Sequence, residues 1–223
     1  MAFADELYKA AAPIWEAQLK HPFVQGLGDG TLPREPFQRW LRQDYVFLVD
    51  YARVLAWAAA KADTPESMRW FASLLHLTLN TELALHKQYA ARYGVDAQEL
   101  DEEGRWPTTQ AYCDFLVRTA AEGDLADAVA ALMPCLWGYV YIAQRLSRAR
   151  RRSGSEGEYD AWIDQYSSAD FVKAAEWLRQ ELNRLTHGAA NEKKKRLTDL
   201  FLLSSRYEFL FWDMCWHGEE WPA

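Results

Sequence analysis

Leu132-Met133-Pro134-Cys135-Leu136-Trp137-Gly138-Tyr139 is the stretch that decides the fold. It lies inside a long apolar pattern of helical period, and it breaks two local rules. Pro134 in a helix interior removes one backbone hydrogen bond and crowds the carbonyl of Ala130. A cysteine follows it. If the helix continues through the proline, Tyr139 stands four residues beyond Cys135 on the same face. The segment is then a helix turning a thiol and a phenol inward. Two readings stay open at this point: a reactive site, or an ordinary packed helix with one tolerated proline.

Working outward, nearly everything else reads as helix. A first helix is expected over about Ala2 to Lys20, ended by His21-Pro22-Phe23 because the residue before a proline avoids the α region. Gln25 to Thr31 reads as a turn-rich loop. Its three glycines are not a nucleotide-binding fingerprint, since no strand precedes them and the spacing is wrong. A long helix follows from Pro33 to Ala62. Thr64-Pro65 supplies an N-cap and a proline at the first helical position for a third helix reaching Tyr93, which Gly94 stops. Asp96 to Pro107 is a polar connection with about one helical turn. Further helices are expected over Thr108–Ala121, Leu125–Arg151, Glu158–Gln165, Ser168–His187 and Asn191–Trp216, with a loop at Ser153 to Gly157. No segment alternates with period two, and no linker marks a boundary. The expectation is one all-α domain of about eight helices covering residues 1–223.

Bulk properties narrow the function. The chain has 223 residues, 50% of them hydrophobic and 14% aromatic, which supports a sizeable core. Such aromatic content either lines a pocket for a flat ligand or fills wide gaps between helices. A net charge of −7 argues against nucleic acid or an anionic membrane as partner. The basic runs Arg148–Arg152 and Lys193–Arg196 read as helix ends or solvated faces. Three cysteines without a CxxC indicate neither a disulfide framework nor a zinc ribbon, and fit a reducing cytoplasm. The first twenty residues carry acids, unlike a signal peptide, and no apolar run is expected to span a bilayer.

The informative residues are carboxylates at positions where the helical period predicts core. On the second helix the face Phe37, Trp40, Leu41, Asp44, Phe47, Leu48, Tyr51 carries Asp44 as its one charge. On the last helix Glu208 is the one charge among Leu197, Phe201, Ser204, Phe211, Trp212 and Cys215. The third helix offers Leu75, Leu79, Glu82, Leu85 and His86, with Glu82 and His86 able to satisfy each other within one turn. A buried carboxylate is costly unless paired, hydrogen-bonded, protonated or beside a wet cavity. Each alone reads as a partnered structural acid; three, with a cysteine and inward tyrosines, point to a polar cavity. Carboxylate-bridged di-iron bundles use Glu-x-x-His pairs, and this chain has none, so no metal is expected. Cys113 and Cys215 read as small core residues.

Taken in order, His21-Pro-Phe-Val-Gln-Gly-Leu-Gly-Asp-Gly-Thr-Leu-Pro33, Gln43-Asp44-Tyr45, Glu82-Leu-Ala-Leu-His86, Leu132 to Tyr139 and Tyr207-Glu-Phe-Leu-Phe-Trp-Asp-Met214 resemble the successive motifs of the TenA family, which includes thiaminase II, or aminopyrimidine aminohydrolase. The resemblance covers nearly the whole chain. Cys135 puts it with the cysteine-bearing branch. It implies a haem-oxygenase-like all-α fold without haem, no cofactor, and a homotetramer. It implies hydrolysis of 4-amino-5-aminomethyl-2-methylpyrimidine to the 5-hydroxymethyl pyrimidine in thiamine salvage, with thiamine cleaved by some members. By motif, Cys135 corresponds to the nucleophile and Glu208 to the proton donor. Asp44, Tyr139 and Tyr166 correspond to pyrimidine-binding positions, and Tyr112 to a further pocket tyrosine.

One residue departs from the pattern. Many members carry tyrosine where this chain has Phe47, and its hydroxyl helps activate the cysteine. Phe47 cannot donate that bond, and Tyr45 faces another side of an ideal helix. The expectation is a less nucleophilic Cys135. The rival functional class is a non-catalytic pyrimidine-binding or regulatory relative, since a fold does not fix a function. A metal-dependent oxygenase is disfavoured by ligand spacing.

Overall fold

A computed structural model describes residues 2–153 and 157–222, and no strand occurs among them. The helices are α1 Phe3–Leu19, α2 Pro22–Asp29, α3 Arg34–Lys61, α4 Pro65–Leu77, α5 Leu83–Arg92, α6 Ala97–Asp101, α7 Pro107–Glu122, α8 Leu125–Ser153, α9 Asp160–Tyr166, α10 Ala169–Leu185 and α11 Asn191–His217. A π-turn, Thr78–Glu82, joins α4 to α5. The centre of the expected loop at Ser153 to Gly157, and the side chains of Arg151 and Arg152 in the first basic run, lie outside the described residues.

The chain divides into two units. One comprises Met1–Pro33 with Val129–Asp213; the other comprises Arg34–Ala128 with Met214–Ala223. In the first, α1 packs on α2 and α10. Trp15 Nε1 donates to Ser205 Oγ at 3.1 Å and Trp212 Nε1 to Gln18 Oε1 at 3.3 Å, tying α1 to α11 through buried polar atoms. In the second, α3 packs along α4, α5 and α7. Tyr45, Val46, Ala90, Val95 and Leu100 form a buried cluster there, with Leu83 against it.

Local chemistry explains most of the boundaries. Thr64 accepts from the Ser67 N–H, and Pro65 occupies the first position of α4. Asp96 caps α6 by accepting from the Gln98 N–H. Gly94, at φ 78°, takes the left-handed conformation that ends α5.

Three expectations need correction. Gln25–Asp29 is helix, not loop: His21 Nδ1 accepts the Phe23 N–H, Pro22 opens α2, and only Gly30 turns left-handed, at φ 78°. The glycines inside α2 serve close approach instead. A Cβ on Gly26 would lie 2.8 Å from the Leu32 backbone, and one on Gly28 2.6 Å from Leu146 Cδ2. The single third helix is interrupted by the π-turn, whose extra residue rotates everything after it on the helical wheel. The face expected there therefore fails: Leu79 is 47% exposed, while His86 is buried. Finally, Leu125–Arg150 is long and apolar enough to cross a membrane by length and composition, contrary to expectation. In the fold 83% of that window is buried, as suits a helix apolar on every side.

Candidate functional site

Pro134 does not break α8, which runs unbroken as α-helix from Leu125 to Ser153. One residue past the carbonyl that Pro134 deprives of its donor, the Ala131 carbonyl accepts a 2.6 Å bond from Ser204 Oγ on α11. Two turns further along both helices, the rings of Tyr139 and Trp212 stand 5.1 Å apart. Ala131, Cys135 and Tyr139 recur every four residues, as do Ser204, Glu208 and Trp212. The two outer contacts run in the same direction along the helices. That register puts Cys135 and Glu208 in the turn between them. Glu208 is 3% exposed, and every residue of the expected α11 face is buried with it. Cys135 is the only one of the three cysteines that reaches solvent in part.

Tyr139 sits in an aromatic enclosure. Its ring centroid is 4.9 Å from that of Tyr166, edge-on, and 5.7 Å from that of Trp162. Tyr166 is itself braced by Phe171 at 5.1 Å. Tyr139 and Tyr166, joined at the sequence level only by the resemblance, are thus neighbours. Trp162 and Trp212 complete the group, and nothing in their sequence context singles them out from the chain's nine other tryptophans.

In the other unit, the expected α3 face is buried from Phe37 to Tyr51, Asp44 included. Phe47 packs its ring 5.0 Å from Tyr112 and 5.9 Å from Tyr51. Tyr45 points elsewhere, donating to Asp101 Oδ1, as its different helical face requires. Gln43, beside Asp44, is fully used: its amide nitrogen donates to the Gly104 carbonyl at 3.0 Å, and its oxygen accepts from Trp106 N–H at 3.0 Å and Thr109 Oγ1 at 2.7 Å. This wedge of bonds fixes the turn of α3 that carries Asp44.

Asp44 Oδ2 lies 2.6 Å from His86 Nε2, and both side chains are buried. The expected Glu82–His86 side-chain pair is not formed. His86 Nδ1 donates instead to the backbone carbonyl of Glu82 at 3.0 Å. A carbonyl only accepts, so Nδ1 carries a proton, and the proton between Nε2 and Oδ2 is shared by the pair. Burial lowers the His86 pKa, but the hydrogen bond and charge of Asp44, with the charge of Glu82, outweigh it and leave it raised. The ring also lies 5.3 Å from that of Trp40.

Cys113 and Cys215 are buried thiols, as expected of core residues. Burial is the main cause that pushes both pKa values up, helped by Asp50 at Cys113 and Asp44 at Cys215. Asp50, a buried acid not picked out from the sequence, is held by Arg53 and by Arg105 Nη2 at 2.6 Å. Among the described residues, no group of three or more His, Cys, Asp or Glu side chains is arranged to hold a metal.

The profile of the TENA/THI-4/PQQC family matches residues 8–218. The aminopyrimidine aminohydrolase of Halalkalibacterium halodurans is 42% identical over 221 residues, covering 99% of this chain and 98% of that one. Among solved structures, a TenA homologue from Pyrococcus horikoshii superposes with a TM-score of 0.89 at 27% identity, covering 98% of this chain and 100% of its own. A Shewanella denitrificans domain described as having a heme oxygenase-like fold matches with a TM-score of 0.75 at 15% identity, over 95% of this chain and 91% of that one. The last bears on fold alone: the all-α, haem-oxygenase-like class expected from sequence.

Proposed function

The chain belongs to the TENA/THI-4/PQQC family, and on that premise we propose that it hydrolyses 4-amino-5-aminomethyl-2-methylpyrimidine to the 5-hydroxymethyl pyrimidine and ammonia, in salvage of degraded thiamine. The observation that carries this reading is the pair of contacts that flank Cys135 and Glu208, Ser204 on the Ala131 carbonyl and Tyr139 against Trp212, in a chain 42% identical along its length to a protein named for that activity.

The chemistry assigns each residue a task. The Cys135 thiolate adds to C6 of the electron-poor ring, with a proton taken up at a ring nitrogen. The electron pair this frees expels the amine from the methylene on C5, and the amine leaves protonated. Water then adds to the exocyclic carbon, and expulsion of the thiolate restores the aromatic ring. Each step moves a proton, and Glu208, buried in an apolar face, is the group to move it. Asp44 accepts from the 4-amino group and fixes the ring's orientation by a charge-assisted bond. Tyr139 and Tyr166 supply stacking faces and hydroxyls, and Tyr112, against Phe47, a further hydroxyl.

The functional unit is residues 1–223, working as a cytoplasmic homotetramer without metal or cofactor. Thiamine, with a thiazolium leaving group on the same methylene, is a second substrate. Phe47 favours one competing reading, a pyrimidine-binding relative without turnover, because its ring offers no hydroxyl to activate a thiol. Steady-state release of the hydroxymethyl pyrimidine from the aminomethyl compound, its formyl derivative and thiamine separates the two readings. Turnover supports the hydrolase, and binding of all three without product supports the competitor.

A further inference from the structure

We propose that His86 is the positioning residue of Asp44, and that it makes the protein select a 4-aminopyrimidine over a 4-oxopyrimidine. This rests on the aminopyrimidine reading above and deepens it.

Three observations converge. Asp44 Oδ2 is committed to His86 Nε2 at 2.6 Å. His86 Nδ1 is committed to the Glu82 carbonyl at 3.0 Å, which fixes the ring plane and its proton. The Glu82 carbonyl is set by the π-turn, which ends at that residue. Such turns break an otherwise regular helix and recur at functional sites. Here the extra residue brings His86 to the buried side of the helix, where Trp40 covers it.

The selectivity follows from how the carboxyl is held. Bonded to His86 Nε2, which holds the shared proton at Oδ2, the Asp44 carboxyl is kept oriented, and its role toward a ligand is to accept. A 4-amino group donates and is welcomed; a 4-oxo group presents a lone pair to a negative oxygen and is repelled. Without the histidine, the carboxyl loses the bond that orients it. Its plane then turns about the Cβ–Cγ bond, and no oxygen is held against the 4-position of the ring. Recognition of the 4-amino group weakens and discrimination against 4-oxo collapses.

The test compares His86→Leu with His86→Gln, whose amide N–H retains a donor toward Asp44. With the aminomethyl pyrimidine as substrate, His86→Leu should raise KM about 10- to 100-fold, the loss of one charge-assisted bond, with a smaller change in kcat. It should also lower the ratio of kcat/KM for the 4-amino compound over its 4-oxo analogue by a similar factor. His86→Gln should restore both to within about threefold of wild type. A merely structural histidine would change stability and lower activity on both analogues alike. An unchanged ratio in His86→Leu, or a His86→Gln protein as impaired as His86→Leu, overturns the proposal. If the wild-type protein shows no turnover, the hydrolase reading fails separately. The same variants are then read by calorimetric Kd for the 4-amino and 4-oxo forms of the 5-hydroxymethyl-2-methylpyrimidine, with the same ratios expected.

Discussion

Replacing Asp44 by asparagine and by alanine should have very different effects on stability and the same effect on function. The carboxylate and its imidazole partner keep only 6% and 1% of their side-chain surface exposed. Truncation to alanine leaves His86 with Nδ1–H bound to Glu82 and Nε2 facing nothing, whether or not Nε2 is protonated. Orphaning one member of a buried, hydrogen-bonded pair costs about 3 kcal/mol. Asparagine keeps the shape. Its amide N–H donates to a neutral Nε2, the Nδ1 bond survives, and both ring nitrogens keep a partner. The cost should fall to about 1 kcal/mol. Wild type should differ from Asp44→Asn in its pH profile as well. The His86 pKa is raised in the folded state, so its ionic contribution is fully present below the unfolded value of about 6.5 and is lost as pH rises through the folded value. Urea denaturation from pH 5.5 upward therefore should show the advantage of wild type over Asp44→Asn shrinking with pH. Both variants should nonetheless lose pyrimidine turnover. Equal stabilities of the two variants, or a pH-independent gap between wild type and Asp44→Asn, would refute the shared-proton account.

Other outcomes follow from the same geometry. Gly26→Ala should destabilise more than Gly28→Ala, measured by thermal unfolding, because the first Cβ meets the Leu32 backbone and the second a Leu146 methyl that can turn aside. Alkylation with iodoacetamide near neutral pH, mapped by mass spectrometry, should mark Cys135 and spare Cys113 and Cys215, whose thiols are buried and pushed toward the protonated form. Phe47→Tyr should raise kcat on the aminomethyl pyrimidine by restoring a hydroxyl near Tyr112; an unchanged or lowered rate removes Phe47 from the account of cysteine reactivity.

The sequence was most informative where period and burial agree. The α3 face around Asp44 and the α11 face around Glu208 were legible because a single charge in a run of apolar residues at 3.6 spacing stands out, and both faces are buried as read. The Pro134 helix was legible because one missing hydrogen bond is a small loss against twenty-nine residues of continuous helix. What failed was geometry that residue type does not encode. The π-turn has no sequence signature, so Leu79 was put on the buried face with His86, and the bond of His86 to Asp44 was not foreseen. The helix at Pro22–Asp29 was read as loop because its glycines were counted as breakers, when they are there for the approach of Leu32 and Leu146. Ser204 carries no mark of its role, since a serine in a helix bonds a neighbouring helix only where the packing brings a carbonyl to it.

The central claim is that Cys135 and Glu208 form one reactive pair, and a steady-state comparison of their variants tests it most directly. On 4-amino-5-aminomethyl-2-methylpyrimidine, wild type should release the hydroxymethyl pyrimidine and ammonia in equal amounts. Cys135→Ala should lose on the order of 10³-fold or more in kcat, and Glu208→Gln about 10²- to 10⁴-fold, while both still bind the pyrimidine product. Because the two act as a unit, the double variant should be little worse than Cys135→Ala alone. Turnover that survives in Cys135→Ala, or losses that multiply in the double variant, would contradict it.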